Sequence, residues 1–182
     1  LRERLRREIK AIQSDLGVTT VYVTHDQAEA LAVSDRLAVL SSGATEQVGP
    51  PEVLYRRPQS RFVAEFVGEN NVFEGQAIES ARAVDGSGDR PARVRIRDRE
   101  FELDVEDPLE GDVAFCVRPG AFSPNAGRNR ITGDVIDQEF LGETTRVRLS
   151  WGGRRIVVSL PEPPTESELT VGFDPADAWV LG

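Results

Sequence analysis

From Arg93 onward the apolar residues of this 182-residue chain recur at every second position, and that period decides most of what the chain can fold into. In the run RVRIRDREFELDV, Val94 and Ile96 alternate with Arg93, Arg95 and Arg97. Phe101, Leu103 and Val105 then alternate with Glu100, Glu102 and Asp104. A period of two places one row of side chains in a core and the other in water, which is the signature of an antiparallel strand with one wet face. The two outward rows here carry opposite charge, so cross-strand pairing helps fix the register of a hairpin. Val113, Phe115 and Val117 alternate next. Val147, Leu149 and Trp151 then lead into Gly152-Gly153, and Ile156, Val158 and Leu160 return. A proline and acid loop from Pro161 to Glu168 precedes a last strand through Trp179 and Val180. Short strands with turn signals between them predict a small antiparallel barrel.

Before Gly68 the pattern is different. Leu1, Leu5, Ile9, Ile12 and Leu16 recur at spacings of three and four, which predicts an amphipathic helix over residues 1–16, stopped by Gly17. Val18 to Val23 is a nearly continuous β-branched run, the pattern of a strand buried on both faces in an α/β sheet. Asp26 is placed to cap a following helix through Leu31, and Leu37–Leu40 reads as a second strand with Thr45–Val48 as its hairpin partner. Pro51 sits in the first turn of a short helix over Glu52–Arg56, and a last helix holds Phe62, Val63, Phe66 and Val67. The change of period puts a domain boundary near Gly68.

Composition narrows the function. No stretch approaches the roughly 18 residues of continuous apolar sequence that span a bilayer, and nothing at the start resembles a signal peptide. Cys116 is the single cysteine, which excludes an internal disulfide and makes a cytosolic setting the default. The formal charge is −9, and Lys10 is the one lysine among 22 basic residues. Such a surface discourages nonspecific binding to nucleic acid or anionic lipid, and it suits either a salt-rich cytoplasm or an ordinary acidic protein. The arginines at 2, 4, 6 and 7 are interleaved with Glu3, Glu8 and Asp15, which is the composition of a solvated helix face. There is no methionine, and the chain opens on Leu1, so it reads as a fragment of a longer one.

The chain's one histidine, His25, follows the β-branched run directly. The carboxyl end of a strand is where open α/β sheets bind ligands, and an imidazole there suits contact with a phosphate. A histidine that merely satisfies loop carbonyls is equally compatible with the position. No serine or cysteine nucleophile motif accompanies His25, and no histidine cluster offers metal ligands. Asp26 and Glu29 have the spacing of a helix cap and its first turn rather than of an acid and base pair.

The run VYVTHDQAEALAVSDRLAVLSSGATEQVGPPEVLYRRPQSRFVAEFVGENN resembles the carboxyl-terminal part of the ATP-binding subunit of an ABC-type importer, of the branch that carries a TOBE domain. The resemblance rests on Thr24-His25-Asp26, Gln27-Ala28-Glu29-Ala30, Ser34-Asp35-Arg36 and Gly43. It continues through Gly49-Pro50-Pro51-Glu52-Val53-Leu54-Tyr55, Pro58, Phe62-Val63-Ala64, Gly68 and Asn71. Beyond Gly68 it runs through Val117-Arg118-Pro119, Phe140-Leu141-Gly142 and Phe173-Asp174-Pro175.

This resemblance implies an α/β segment, the end of a P-loop NTPase-type domain, over residues 1–67, followed by an all-β OB-like TOBE barrel over residues 68–182. It implies that His25 is the switch histidine that contacts the γ-phosphate of ATP bound with Mg, and that no other metal is held. Expected partners are the membrane permease subunits and a second ATP-binding subunit in a homodimer. A small-molecule or anion ligand at the barrel occurs in some relatives, and nucleic acid is not expected. Expected localisation is cytoplasmic, peripheral on the inner face of the membrane through the permease. The phosphate loop G-x-x-x-x-G-K-[ST] and a strand ending in Asp-Glu are absent from these residues, so the chain by itself is expected to be inactive. The alternative is a free-standing regulatory or ligand-binding TOBE barrel without ATPase function. Where relatives show Arg-Pro-Glu, this chain has Arg118-Pro119-Gly120, so no ligand role is carried over to that segment.

Overall fold

The computed structural model describes residues 2–79, 91–124 and 127–182. The chain divides into two compact units, Leu1–Gly68 and Glu69–Gly182.

In the first unit, helix α1 (Arg2–Leu16) and helix α2 (Gln27–Val33) precede the hairpin β1 (Leu37–Ser41) and β2 (Ala44–Gly49), which is followed by helices α3 (Pro51–Arg56) and α4 (Arg61–Phe66). The hairpin turn places Ser42 and Gly43 at φ 50° and 81°, the backbone sense that matches a two-residue turn to strand twist. Ser60 caps α4 by accepting from the Val63 amide at 3.3 Å. The core is small: Val39, Leu54, Val63 and Val67 are buried, with Leu31 and Leu37 against them. Buried Gln47 holds the chain after α3 in place. Its amide donates to the Arg57 carbonyl at 3.1 Å and accepts from the Gln59 amide at 3.0 Å.

The expected strand Val18–Val23 does not form. Residues 18–24 have no regular secondary structure, and Val21 and Val23 are 86% and 90% exposed. A β-branched run favours strand backbone, but a strand exists through its ladder bonds, and none of the described strands lies beside this one. The apolar positions Leu5, Ile12 and Leu16 of α1 are likewise exposed, while Leu1 lies outside the described residues. Amide exchange on the 182-residue chain should therefore find Val18–Val23 exchanging at nearly the unprotected rate while Val147–Trp151 is strongly protected. Strong protection across Val18–Val23 in a monomer would overturn this.

The second unit contains β3 (Asn71–Glu79), β4 (Ala92–Ile96), β5 (Arg99–Leu103), β6 (Asp112–Val117) and β7 (Ser123–Pro124). It continues with β8 (Asn129–Phe140), β9 (Thr145–Trp151), β10 (Arg154–Leu160), β11 (Glu168–Phe173) and β12 (Ala178–Leu181). Among the described residues these form two five-stranded antiparallel sheets, ordered β12-β6-β3-β4-β5 and β10-β9-β8-β11-β7. Both sheets pack on one core containing Phe73, Phe101, Phe115, Phe173 and Trp151. Its rings contact one another at centroid distances from 5.1 Å for Phe73–Phe115 to 6.5 Å for Phe115–Phe173. The hairpin charges pair as their register requires, Arg95–Glu100 exposed at 3.2 Å and Arg93–Glu102 half-buried at 3.9 Å, both solvent-screened and so worth little energy.

The registers reveal that the barrel is made of two equivalent halves. Asn71 faces Val117 and Gln76 faces Asp112, just as Asn129 faces Phe173 and Asp134 faces Glu168. A register shift between Ala77 and Glu79 opposite β4 has its counterpart between Val135 and Asp137 opposite β9. The Ala77 amide donates to the Gly111 carbonyl, and the Val135 amide to the Ser167 carbonyl. Each half ends in a 3-10 turn, Pro119–Ala121 or Pro175–Asp177, and then gives its last strand to the other half's sheet. β7 pairs with β11, and β12 pairs with β6.

Two asparagines replace the strand bonds missing where the sheets meet. Asn71 donates to the carbonyls of Val157 at 2.7 Å and Val117 at 3.2 Å and accepts from the Val157 amide at 2.7 Å. Asn129 donates to the Glu102 carbonyl and accepts from the Glu102 amide, both at 2.7 Å. Each amide thus acts as one more residue of ladder on an edge strand of the other sheet. Four residues after each asparagine stands a glycine. A Cβ on Gly133 would lie 2.6 Å from the Ser150 carbonyl oxygen, and one on Gly75 would collide with the carbonyl oxygen of Arg95.

Candidate functional site

The segment that carries His25 is built by its neighbours. Thr24 Oγ1 accepts from the Asp26 amide at 3.0 Å and donates to Glu29 Oε2 at 3.2 Å, and the Tyr22 hydroxyl donates to the same carboxylate at 3.1 Å. Asp26 Oδ1 accepts from the Glu29 amide at 3.0 Å, which caps α2. Asp26 and Glu29 have the spacing of a capping box, but the Glu29 carboxylate turns toward Tyr22 and Thr24, and Thr24 takes the Asp26 amide in its place. Both acids are therefore structural, as their spacing predicts. Gln27 Oε1 accepts from the Gly68 amide at 2.9 Å, which ties the start of α2 to the end of the unit.

Within this frame His25 sits in a bend with its side chain exposed, and no described residue is hydrogen-bonded to its imidazole. The frame fixes the backbone on both sides of the ring without using the ring. Among the described residues no loop carbonyl occupies the imidazole. Sequence reasoning singled out His25, Asp26 and Glu29 but missed Tyr22 and Thr24. Their hydroxyls in the VYVTHD run were the available signal.

In the barrel, the lone thiol is not a nucleophile. Cys116 is buried, burial pushes its pKa up, and the nearby Arg118 charge only partly opposes this. Trp151 is buried in the core as expected, whereas Trp179 on β12 is 36% exposed. Among the described residues no helix is long and apolar enough to cross a membrane.

A profile of the TOBE domain matches residues 115–181. Curated relatives cover far more of the chain. The spermidine/putrescine import ATP-binding protein PotA 1 of Pseudomonas aeruginosa is 56% identical over 84% of this chain and 41% of its own length. The PotA protein of Rubrobacter xylanophilus is 37% identical over 86% of this chain and 42% of its own. The Fe(3+) ions import ATP-binding protein FbpC of Rhizobium etli is 37% identical over 96% of this chain and 49% of its own. The chain matches the carboxyl-terminal part of ABC-importer ATP-binding subunits. It spans less than half the length of each of these three relatives. Among solved structures, the cytoplasmic molybdate-binding protein ModG aligns with 60% of this chain and 94% of its own, at 18% identity and a TM-score of 0.47. The matched TOBE segment runs from Phe115 within β6 through β12, while β3 to β5, which complete the first sheet, lie before it.

Proposed function

We propose that this chain is the carboxyl-terminal portion of an ATP-binding subunit that drives solute uptake through a membrane permease. In this reading residues 1–67 end the ATPase domain and residues 68–182 form its TOBE barrel. The observation that carries the reading is the presentation of His25: an exposed imidazole, unpartnered among the described residues, on a bend held by Thr24, Asp26 and Glu29. A neutral imidazole donates one hydrogen bond and accepts another, so it can reach a γ-phosphate oxygen on one side and hold a water on the other. That contact stabilises charge as it develops on the transferring phosphoryl group. Among the described residues His25 is the one assigned in this reading to ATP with Mg. The sequence holds no phosphate loop and no lysine besides Lys10, so the phosphate cradle belongs to another part of the subunit.

The exposed run Val18–Val23 supports the same reading, because it has the composition of a buried strand and no neighbour here to bury it. Permease subunits, a second ATP-binding subunit and a place on the cytoplasmic face of the membrane follow from the relatives' role. The cargo is selected elsewhere: the matched relatives are named for spermidine and putrescine in two cases and for ferric ion in another. Calorimetry on the isolated chain tests the reading. It should show no ATP hydrolysis and an ATP affinity no better than about 1 mM, a binding free energy near −4 kcal/mol or weaker. Micromolar affinity would mean that the chain holds a complete nucleotide site, and the reading would fail.

A further inference from the structure

Asp26 and Glu29 close the bend at His25 on itself, whereas Gln27 reaches away from it. The hydrogen bonds among Tyr22, Thr24, Asp26 and Glu29 join residues no more than seven positions apart. Gln27, the first residue of α2, extends its side-chain oxygen to an amide 41 positions along the chain, that of Gly68 at 2.9 Å. The bond is part-buried, so bulk water competes with it less than at an open surface. The short-range bonds give the bend its shape, and the bond of Gln27 sets that shape against a distant part of the same unit.

Gly68 is the point where the chain leaves α4, at φ 76°, the left-handed backbone that ends many helices. An amide in that position ordinarily bonds to a carbonyl of the helix's own last turn. Here the Val67 amide takes the Val63 carbonyl, and the Gly68 amide goes to Gln27 instead. The end of α4 is therefore completed by a side chain two residues from His25. One peptide bond later the chain is held again, this time by the second unit. The Glu69 carbonyl accepts from Arg118 Nη1 at 3.1 Å, and the Glu69 carboxylate pairs with Arg146 Nε at 2.9 Å. Gly68 ends the first unit and Glu69 begins the second, so each side of the junction is anchored within its own unit with almost no free chain between the anchors.

We propose that Gln27 is a positioning residue for His25, on the reading of His25 as the γ-phosphate contact: by holding the Gly68 amide it fixes the entry of α2, and with it the imidazole two residues earlier. A hydrogen bond to charge that develops in a transition state is worth most when its donor is already in place, and a displacement of about 1 Å far from the chemistry can cost about a hundredfold. Gln27 touches no phosphate in this role. It acts through the ring that does, and its anchor is the residue joined directly to the barrel.

Gln27→Leu keeps the size of the side chain and removes the acceptor. In the 182-residue chain this change should make the Gly68 amide exchange at least about tenfold faster, while Val147–Trp151 keeps its protection. In the intact ATP-binding subunit it should lower kcat for ATP by about tenfold with KM near the parent value. The same change made on His25→Ala should alter the residual rate by less than about twofold, because a residue that acts through the ring then has nothing left to position. Unchanged protection of Gly68, parent turnover in Gln27→Leu beside a slow His25→Ala, or equal losses in the two backgrounds would overturn the positioning role alone. Parent turnover in His25→Ala would overturn the nucleotide reading of His25 and this role with it.

Discussion

His25→Ala in the intact ATP-binding subunit is expected to slow ATP turnover by about a hundredfold or more while leaving ATP binding nearly unchanged. The magnitude is that of losing one preorganised contact to charge that develops in the transition state. Binding is expected to be spared because, in the proposed reading, the phosphate cradle is not among these residues, which hold no phosphate loop, and His25 adds one contact to the γ-phosphate. The structure makes the experiment clean. Tyr22, Thr24, Asp26 and Glu29 hold the bend through hydrogen bonds that do not involve His25, so truncating its exposed ring should change stability by no more than about 0.5 kcal/mol. Phosphate release under saturating ATP, measured beside nucleotide binding, separates the two effects. Turnover at the parent rate would show that His25 is a surface residue of the bend and nothing more.

Asn71→Ala is expected to destabilise the barrel by about 3–5 kcal/mol, because it removes three buried hydrogen bonds and leaves the Val157 amide and carbonyl without partners. Asn71 is 4% exposed, so water does not replace what is lost. Asn129→Ala removes the equivalent pair of bonds to Glu102 and should cost about 2–4 kcal/mol by the same reasoning. Against a typical total stability of roughly 5–15 kcal/mol, either change should lower the urea midpoint visibly. Asn71→Asp should be at least as damaging as alanine, since it turns a second acceptor toward the carbonyls of Val117 and Val157. A loss below about 1 kcal/mol for Asn71→Ala would mean that the sheets meet without needing the amide.

Much of the barrel was legible. Every residue from Val94 to Leu160 that the alternation assigned to an inward row is buried, Val105 excepted, which is half-buried against the same core. The strands missed were β3, the two-residue β7, β8 and β11. β8 runs from Asn129 to Phe140, but Gly133 interrupts its inward row and its second half is mostly exposed on both faces, so its sequence carries no sustained period. The Asn71 and Gly75 spacing recurs at Asn129 and Gly133, and Arg118-Pro119 recurs as Asp174-Pro175. The duplication was therefore written in the sequence, but in too few identities to be read before the registers showed which residues correspond.

Local sequence determined what each segment prefers: the period that gives a strand one dry face, the proline that starts α3, the Asp26 cap of α2, and the glycine pair at the β9–β10 turn. Preference becomes structure only where a partner exists. Val18–Val23 has stronger strand composition than β3 and forms no strand, because the ladder bonds that make a strand must come from a neighbour and no described strand supplies them. Tertiary structure alone decided the exchange of β7 and β12 between the halves, the placing of Asn71 against Val157 and Asn129 against Glu102, and the meeting of Gln27 with Gly68. Each joins residues dozens of positions apart. A pattern that repeats every second residue says which face is dry but not which distant strand will dry it.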